Sequence, residues 1–384
     1  MQVAQSELYA IVETIMNKLA QETAVDEGMH GIFSLLDDAV AAARRAQEKL
    51  ALMDLSRREE LVKAMREAAL NNARLLAEMA IRETGRGRME DKILKNILAA
   101  QKTPGTEDLK TTAYTGDHGL TLVEMAPVGA LGAVTPVTNP VATVVNNGIS
   151  MIAAGNSVVF CPHPSAEKTS LKTVEILQEA VMRAGGPPDL LTGIKGASFE
   201  NVRQLMCHPG INMLVVTGGS GVVKLALGSG KKAIGAGAGN PPVLVDETAD
   251  IDKAARDIVM GASFDNNMPC ITEKVLISVD RVTDRLIQRM QREGAYLVRG
   301  REAEALTRLA FQPDKENPDH LVLNRDLIGK SASSILRQIG VEVGQDIRLL
   351  IMETESEHPF VTHEQMMPVL PVVRVRNVED GIQL

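Results

Sequence analysis

Apolar positions recur along this chain in two rhythms. Over residues 6–20, Leu8, Ile11, Val12, Ile15, Met16 and Leu19 follow i, i+3, i+4, i+7 spacing, with Glu7, Glu13, Asn17 and Lys18 on the other face. Residues 21–31 lose that period, carry Gly28 and Gly31, and read as a linker. So short a helix is marginal alone in water, so its apolar stripe docks either on its own body or on a partner. Residues 32–100 predict helix throughout, Ala-, Leu-, Glu- and Arg-rich without proline, divided by a turn around 85–87. A hairpin is expected over 110–124, its strands at 111–115 and 120–124 flanking Gly116-Asp117-His118-Gly119.

From Gly129 the rhythm changes to short apolar strands alternating with helices. Strands are predicted at 130–135, 157–160, 190–194 and 213–217, helices at 140–154, 167–184 and 199–206, and a further helix opens near Ser220. A second unit resumes with strands at 243–245 and 275–279 around a helix at 250–264. This alternation implies βαβ units, a parallel sheet and an α/β fold. Ligands bind beyond the carboxyl ends of such strands, which places residues 135–139, 161–165 and 218–221 on one rim.

Length and composition narrow the class. At 384 residues the chain has room for two ordinary domains, and 45% hydrophobic with 23% charged residues excludes a disordered or fibrous protein. A net charge of −8 argues against a broad nucleic-acid surface, and nine aromatic residues without tryptophan argue against base or sugar stacking. The 14-residue apolar stretch 141–154 is broken by Asn146 and Asn147, too short to span a membrane. The N-terminus lacks the pattern of a signal peptide. Three widely spaced cysteines, Cys161, Cys207 and Cys270, form neither a disulfide framework nor a zinc motif. Together these features predict a cytoplasmic protein in a reducing setting.

Few residues offer chemistry. Thr217-Gly218-Gly219-Ser220-Gly221 joins a strand to a helix, where backbone N–H groups can approach a pyrophosphate, although such turns also occur without a ligand. Gly235-Ala236-Gly237-Ala238-Gly239-Asn240 precedes a strand and reads as a close backbone approach to another segment. Cys270 lies in the polar loop Phe264-Asp265-Asn266-Asn267-Met268-Pro269-Cys270. A lone cysteine is ordinarily structural; this one is expected to open a helix, whose terminus would activate a thiol. Cys207 reads as structural, and Cys161 as structural or rim-lining. His163 and Glu364 read first as loop residues, although His163 stands on the rim.

These pieces, in this order, resemble the aldehyde dehydrogenase superfamily from about residue 32 onward, and most closely its CoA-acylating branch of acetaldehyde and propionaldehyde dehydrogenases associated with bacterial microcompartments. The resemblance rests on Thr135-Pro136-Val137-Thr138-Asn139-Pro140, Pro162-His163-Pro164-Ser165, the run from Gly235 to Pro242, the Cys270 loop, and Glu364-Gln365-Met366-Met367-Pro368. It implies a Rossmann-type NAD-binding domain over 32–234, including an oligomerisation hairpin at 110–124, and a catalytic domain over 235–384. Cys270 would be the nucleophile, and Asn139 with the Cys270 N–H the oxyanion hole. Thr135, Pro136, Val137, His163, Pro164, Ser165, Thr217, Gly218, Gly219, Ser220, Val222 and Gly237 would line the cofactor, and Glu364 would hold its nicotinamide ribose. No metal is implied.

Three departures accompany the resemblance. The glutamate base of hydrolytic members falls at Gly235, the lysine they place after the strand ending at Phe160 is replaced by Pro162-His163-Pro164-Ser165, and Val223 replaces the last Gly of the usual turn. The first two are expected of an acylating enzyme that uses CoA as co-substrate. The resemblance makes 6–20 an encapsulation-like helix contacting a shell protein, inside a microcompartment. It also implies further strands beyond Leu384, so the stretch reads as C-terminally truncated, and homo-oligomers were that C-terminus complete. Two alternatives stay open, a hydrolytic NAD(P)-linked dehydrogenase and a catalytically impaired scaffold.

Overall fold

The computed structural model describes residues 31–314 and 321–384. The expected helix over 6–20 lies outside the described residues. The chain enters through a two-residue strand, β1 (Ile32–Phe33), where helix was expected. Its carbonyls are claimed by another strand before a helix can take them: the Gly193 N–H donates to Gly31 O at 2.8 Å and the Lys195 N–H to Phe33 O at 2.8 Å. Four helices follow, α1 (Leu36–Ala51), α2 (Leu55–Asn71), α3 (Ala73–Thr84) and α4 (Met89–Lys102). The break before α2 is set by Asp54, whose side chain accepts from the Arg57 N–H and caps the new helix. Gly85, at φ 64°, ends α3 in a left-handed turn. A hairpin, β2 (Thr112–Gly116) and β3 (Gly119–Val123), then projects with every residue exposed around Asp117 and His118.

The alternating region contains β4 (Ala130–Val134), α5 (Pro140–Ala153), β5 (Ser157–Cys161), α6 (Glu167–Arg183), β6 (Leu191–Ile194), α7 (Phe199–Cys207), β7 (Met213–Thr217), α8 (Ser220–Leu227) and β8 (Lys232–Ala236). Its strands join β1 in a parallel sheet of order β1-β6-β5-β4-β7-β8. Strands β4, β5 and β6 are buried on both faces, so they read as continuous apolar runs rather than alternating ones. One face packs Leu61, Met65, Ile149, Phe160 and Leu177; the other packs Val40, Val159, Leu205 and Leu214.

A second sheet begins with β9 (Pro242–Val245), α9 (Ile251–Ser263), β10 (Val275–Val279), α10 (Asp280–Arg292) and β11 (Ala295–Leu297). Helix α11 (Arg301–Ala310) leads to a small hairpin, β12 (Phe311–Pro313) and β13 (Leu321–Leu323). Then come α12 (Ala332–Gln338), β14 (Leu349–Glu353), α13 (Pro359–Thr362), β15 (Val369–Val375) and α14 (Val378–Gln383). The order β11-β14-β15-β10-β9 is parallel throughout. The chain passes between sheets over residues 237–241, so β8 carries the first sheet to Ala236. No described helix is long and apolar enough to cross a membrane.

Candidate active site

The carboxyl ends of β5, β4 and β7 are neighbours, so residues 161–165, 135–139 and 218–221 do gather on one rim. The Thr135 N–H donates to Cys161 O at 3.2 Å, which fixes the first two segments side by side. Among the described residues Thr135 Oγ1 is buried without a partner. Pro136 is buried and Val137 half-buried beside it, while Pro164 and Ser165 are exposed. His163 Nδ1 accepts from the Ser165 N–H at 3.1 Å and closes the turn before α6. Burial, aided by Arg86 and Arg325, holds its imidazole below 6.5 and favours the neutral form. Cys161 is buried, its thiol pushed up to about 12 by desolvation and by Glu167, which makes it structural.

The turn after β7 is open. A side chain placed at Gly218, Gly219 or Gly221 would meet nothing within 4 Å, and Ser220 and Val222 follow at the start of α8. Just past β8, a Cβ at Gly237 would have only Val223 Cγ2 nearby, at 3.9 Å. Gly235 is different: a Cβ there would lie 2.6 Å from Val223 Cγ1. Two of the sequence departures are therefore one spatial event, with Val223 filling the room a side chain at 235 would need.

Cys270 does not open a helix. It sits in a turn between a short 3₁₀ segment (Phe264–Asn267) and β10, because residues 271–274 run directly into the strand and the Lys274 N–H pairs with Pro241 O at 2.8 Å. The expected helix-terminus activation is thus replaced by loop geometry. Asp265, Asn266 and Asn267 all adopt left-handed backbone, with φ of 48°, 54° and 60°. Such a run is strained and persists only when its surroundings over-determine it. Here the surroundings do so. The Asp265 carboxylate is fully buried, accepts from the Arg88 N–H at 2.9 Å and from Lys92 Nζ at 3.1 Å, and pairs with Lys95 Nζ. Asn266 Nδ2 donates to Gly329 O at 2.8 Å, and Asn267 Nδ2 to Ala262 O at 2.7 Å and Glu273 O at 2.9 Å.

Beneath the turn lies Lys274, fully buried. Its ammonium donates to Asn267 O at 2.9 Å, to Asn267 Oδ1, and to Pro269 O at 3.2 Å. Burial pushes its pKa down to about 8, partly opposed by Glu364, Cys270 and Glu273. Among the described residues no acceptor takes the Cys270 N–H, which leaves it available to an oxyanion. Cys270 itself is half-buried.

The glycine-rich run makes the close approach expected of it. A Cβ at Gly239 would stand 3.1 Å from Cys270 O, and the Gly239 N–H lies close enough to the Glu364 carboxylate to favour its charged form. Burial raises the Glu364 carboxyl, against Lys274 and the Gly239 N–H, and among the described residues Glu364 Oε1 is buried without a donor. Gln365 anchors the segment by donating to Lys274 O at 3.1 Å and Val369 O at 3.0 Å. An unpaired buried acceptor at Glu364 and an unpaired hydroxyl at Thr135 fit a polyhydroxylated cofactor, whose ribose could satisfy the first.

Asn139 stands before α5, and Lys95 Nζ donates to its Oδ1 at 2.7 Å. Lys95 also pairs with Asp265, so one ammonium ties the Asn139 segment to the Cys270 loop. Lys92, Lys95, Asp265 and Lys274 were not singled out in the sequence. The signal was hidden because α4 is inverted: it buries Asp91, Lys92, Lys95 and Asn96 and exposes Leu94 and Leu98. A concavity of about 500 Å³ lined by Thr307, Thr354 and His358 lies at the carboxyl end of β14, the edge opposite Cys270 and Glu364.

A half-buried thiol, an amide and an N–H without an acceptor among the described residues are the groups a cofactor-linked thiol enzyme needs. The chain belongs to the aldehyde dehydrogenase family, whose model matches residues 19–384. It is 48% identical over 383 residues to the acetaldehyde dehydrogenase (acetylating) EutE of Salmonella typhimurium, covering 99% of this chain and 81% of that protein. The propionaldehyde dehydrogenase of the Clostridium phytofermentans fucose utilisation bacterial microcompartment superposes with a TM-score of 0.86 at 45% identity, covering 92% of this chain and 80% of that one. A Rhodopseudomonas palustris propionaldehyde dehydrogenase, solved with bound CoA and an acylated cysteine, matches with a TM-score of 0.86 at 47% identity, covering 92% and 80%.

Proposed function

We propose that this chain is a CoA-acylating aldehyde dehydrogenase that converts acetaldehyde or propionaldehyde, CoA and NAD to acyl-CoA and NADH. The observation that carries the reading is the pairing of Cys270 with a glycine at 235 that Val223 shuts against any longer side chain. Cys270 thiolate adds to the aldehyde carbon, and the carbonyl electron pair moves to oxygen. That oxyanion is held by Asn139 Nδ2 and the Cys270 N–H. Glu364 would hold the nicotinamide ribose of NAD and residues 217–222 its pyrophosphate, and the cofactor when bound would supply the hydride acceptor. The carbonyl then re-forms as a Cys270 thioester. Without a carboxylate at 235, water lacks the base that hydrolytic members use and is poorly activated, whereas a thiol reaches its nucleophilic anion near neutral pH unaided. CoA thiolate attacks, Cys270 leaves, and the exchange of one thioester for another makes the overall reaction reversible.

Residues 32–236 serve as the NAD-binding domain and 237–384 as the catalytic domain, the boundary moved two residues from the expected 234 because β8 belongs to the first sheet. The exposed hairpin, with Tyr114, Leu120 and Leu122 uncovered, serves homo-oligomerisation. The amphipathic segment 6–20 docks on a shell protein and places the enzyme inside a bacterial microcompartment in the cytoplasm; the Clostridium relative's name supports this reading.

The test is NADH formation from each aldehyde, with and without CoA, on this chain and on Cys270→Ala. CoA-dependent turnover lost in Cys270→Ala is expected. Equal turnover without CoA would replace the acylating reading by the hydrolytic one, and no turnover from folded protein would favour the scaffold. Deleting residues 1–20 should abolish co-purification with shell proteins and leave turnover intact; retained co-purification would refute the docking role.

A further inference from the structure

Asn139 can serve an oxyanion only if its amide presents nitrogen rather than oxygen. The two ends of an amide have nearly the same shape, so packing alone does not choose between them. Lys95 chooses. An ammonium carries donors and no acceptor, so the Asn139 atom 2.7 Å from Lys95 Nζ must be the carbonyl oxygen Oδ1. Nδ2 then points the other way. It donates one hydrogen to Thr138 Oγ1 at 3.1 Å, which leaves its second hydrogen for a ligand.

The lysine is itself held. It is largely buried on α4, paired with the fully buried Asp265 carboxylate, and Asp265 is kept in register by Lys92 and by the Arg88 N–H. Asp265 lies in the loop that ends at Cys270, whereas Asn139 lies on the rim of the other sheet. The same ammonium therefore fixes the amide's orientation and its distance from the nucleophile's loop. An apolar helix–sheet contact would hold the distance without fixing the orientation.

We propose that Lys95 is a positioning residue that locks Asn139 as a hydrogen-bond donor and couples it to the Cys270 loop through Asp265. The inference rests on the proposed oxyanion role of Asn139. It accounts for a lysine at a position that faces inward, where a helix of this composition would otherwise place an apolar side chain.

The test is a double-mutant cycle in the full chain, using Lys95→Met, Asn139→Ala and both together, with CoA-dependent turnover as the readout. Circular dichroism and thermal midpoints establish that each variant is folded. Loss of one oxyanion donor costs about 10²- to 10³-fold in kcat. Lys95→Met is expected to lose roughly 30-fold or more of kcat, with KM for NAD within about two-fold. In the Asn139→Ala background it should cost less than about three-fold, because the amide it orients is gone. Alkylation of Cys270 by iodoacetamide, which forms no oxyanion, should proceed at the wild-type rate in Lys95→Met. A merely structural role would slow alkylation and add its full loss in both backgrounds, and either result would overturn the proposal. Wild-type kcat in folded Lys95→Met would also overturn it. If Lys95→Met does not fold, Lys95→Leu, which likewise carries no donor, enters the cycle under the same criteria for additivity and alkylation. Should Asn139→Ala alone leave turnover unchanged, the oxyanion assignment itself fails; a loss there with an additive Lys95 effect defeats only the positioning role.

Discussion

Around Cys270 three consecutive left-handed residues are pinned by a buried carboxylate, two amide side chains and two buried lysines that reach it, with a third lysine below. At Gly218, Gly219 and Gly221, by contrast, a side chain would meet nothing within 4 Å. Both regions belong to the proposed site, yet one is clamped from all sides and the other is bare backbone. On the proposed function, the difference follows what each must do. A nucleophile and its oxyanion donors need sub-ångström placement before the reaction, and electrostatic pre-organisation is the larger part of catalysis. A pyrophosphate-binding turn must admit and release a large ligand every cycle, and exposed N–H groups do that without a rigid cage.

The comparison breaks most visibly if the clamp is opened at its anchor. Asp265→Ala leaves Lys92 and Lys95 buried beside each other without their carboxylate. Removing one partner of a buried pair typically costs about 3–5 kcal/mol. Urea unfolding should show a loss of that size together with a collapse of CoA-dependent turnover. A stability change below about 1 kcal/mol would mean that the charges rearrange or hydrate, and the loop is not held as described.

Lys274→Met comes next. It leaves Asn267 O, Asn267 Oδ1 and Pro269 O without their donor, an expected cost of about 2–4 kcal/mol. It also carries a pH signature with a definite sign. The folded protein releases the Lys274 proton near pH 8, and the unfolded chain near its ordinary 10.5. Between these values the unfolded state binds more protons, so this group makes stability rise with pH through that window. The stability advantage of wild type over Lys274→Met should therefore grow from pH 8 towards 10, by at most about 1.4 kcal/mol per pH unit. A difference that is flat or shrinks over that range would refute the buried, depressed lysine.

How much of this was visible in the sequence follows the same division. The open rim was legible because it is made by local grammar: apolar runs at β4, β5 and β7 end in Pro136, Pro162 and Gly218, and the parallel topology brings those ends together. The motif positions of Cys270, Asn139 and Glu364 were also legible, through the resemblance. The clamp was not. Lys95 lies 170 residues before Asp265, and no periodicity links them. Helix α4 also misleads, since Leu94 and Leu98 follow a core-facing spacing and are instead exposed. The β1 strand was missed because two residues carry no period at all. The helix expected after Cys270 failed for a tertiary reason: β9 and Pro241 capture the chain into β10 first.

On the open side the expected effects are kinetic and smaller. Gly219 has ordinary backbone angles, φ −63° and ψ 158°, and free space beyond it. Gly219→Ala should leave stability within about 0.5 kcal/mol. The new methyl group would nonetheless stand where a pyrophosphate approaches the backbone, raising KM for NAD about three- to ten-fold with kcat nearly unchanged. A matching loss of kcat would show that the turn is part of the positioned machinery after all.

A last test concerns a point on this side where space is closed, and its smallest readout is catalytic. Val223 Cγ1 would be 2.6 Å from a Cβ at Gly235, and valine's branched side chain has little freedom to withdraw. Gly235→Glu alone should therefore destabilise the protein by about 1–3 kcal/mol, as overpacked sites do. Adding Val223→Gly removes the obstructing methyl groups, so the pair should recover most of that loss, a non-additivity expected of residues in contact. The recovered space would also let a carboxylate face the crevice and serve water as a base. Acid release without CoA should then rise to a few per cent of the CoA-dependent rate, measured as acetate or propionate formed. It should stay small because the rest of the site is still shaped around a thiol acceptor. If the two substitutions add independently in stability, Val223 is not what excludes a side chain at 235, and the choice of thiol over water must be set elsewhere in the crevice.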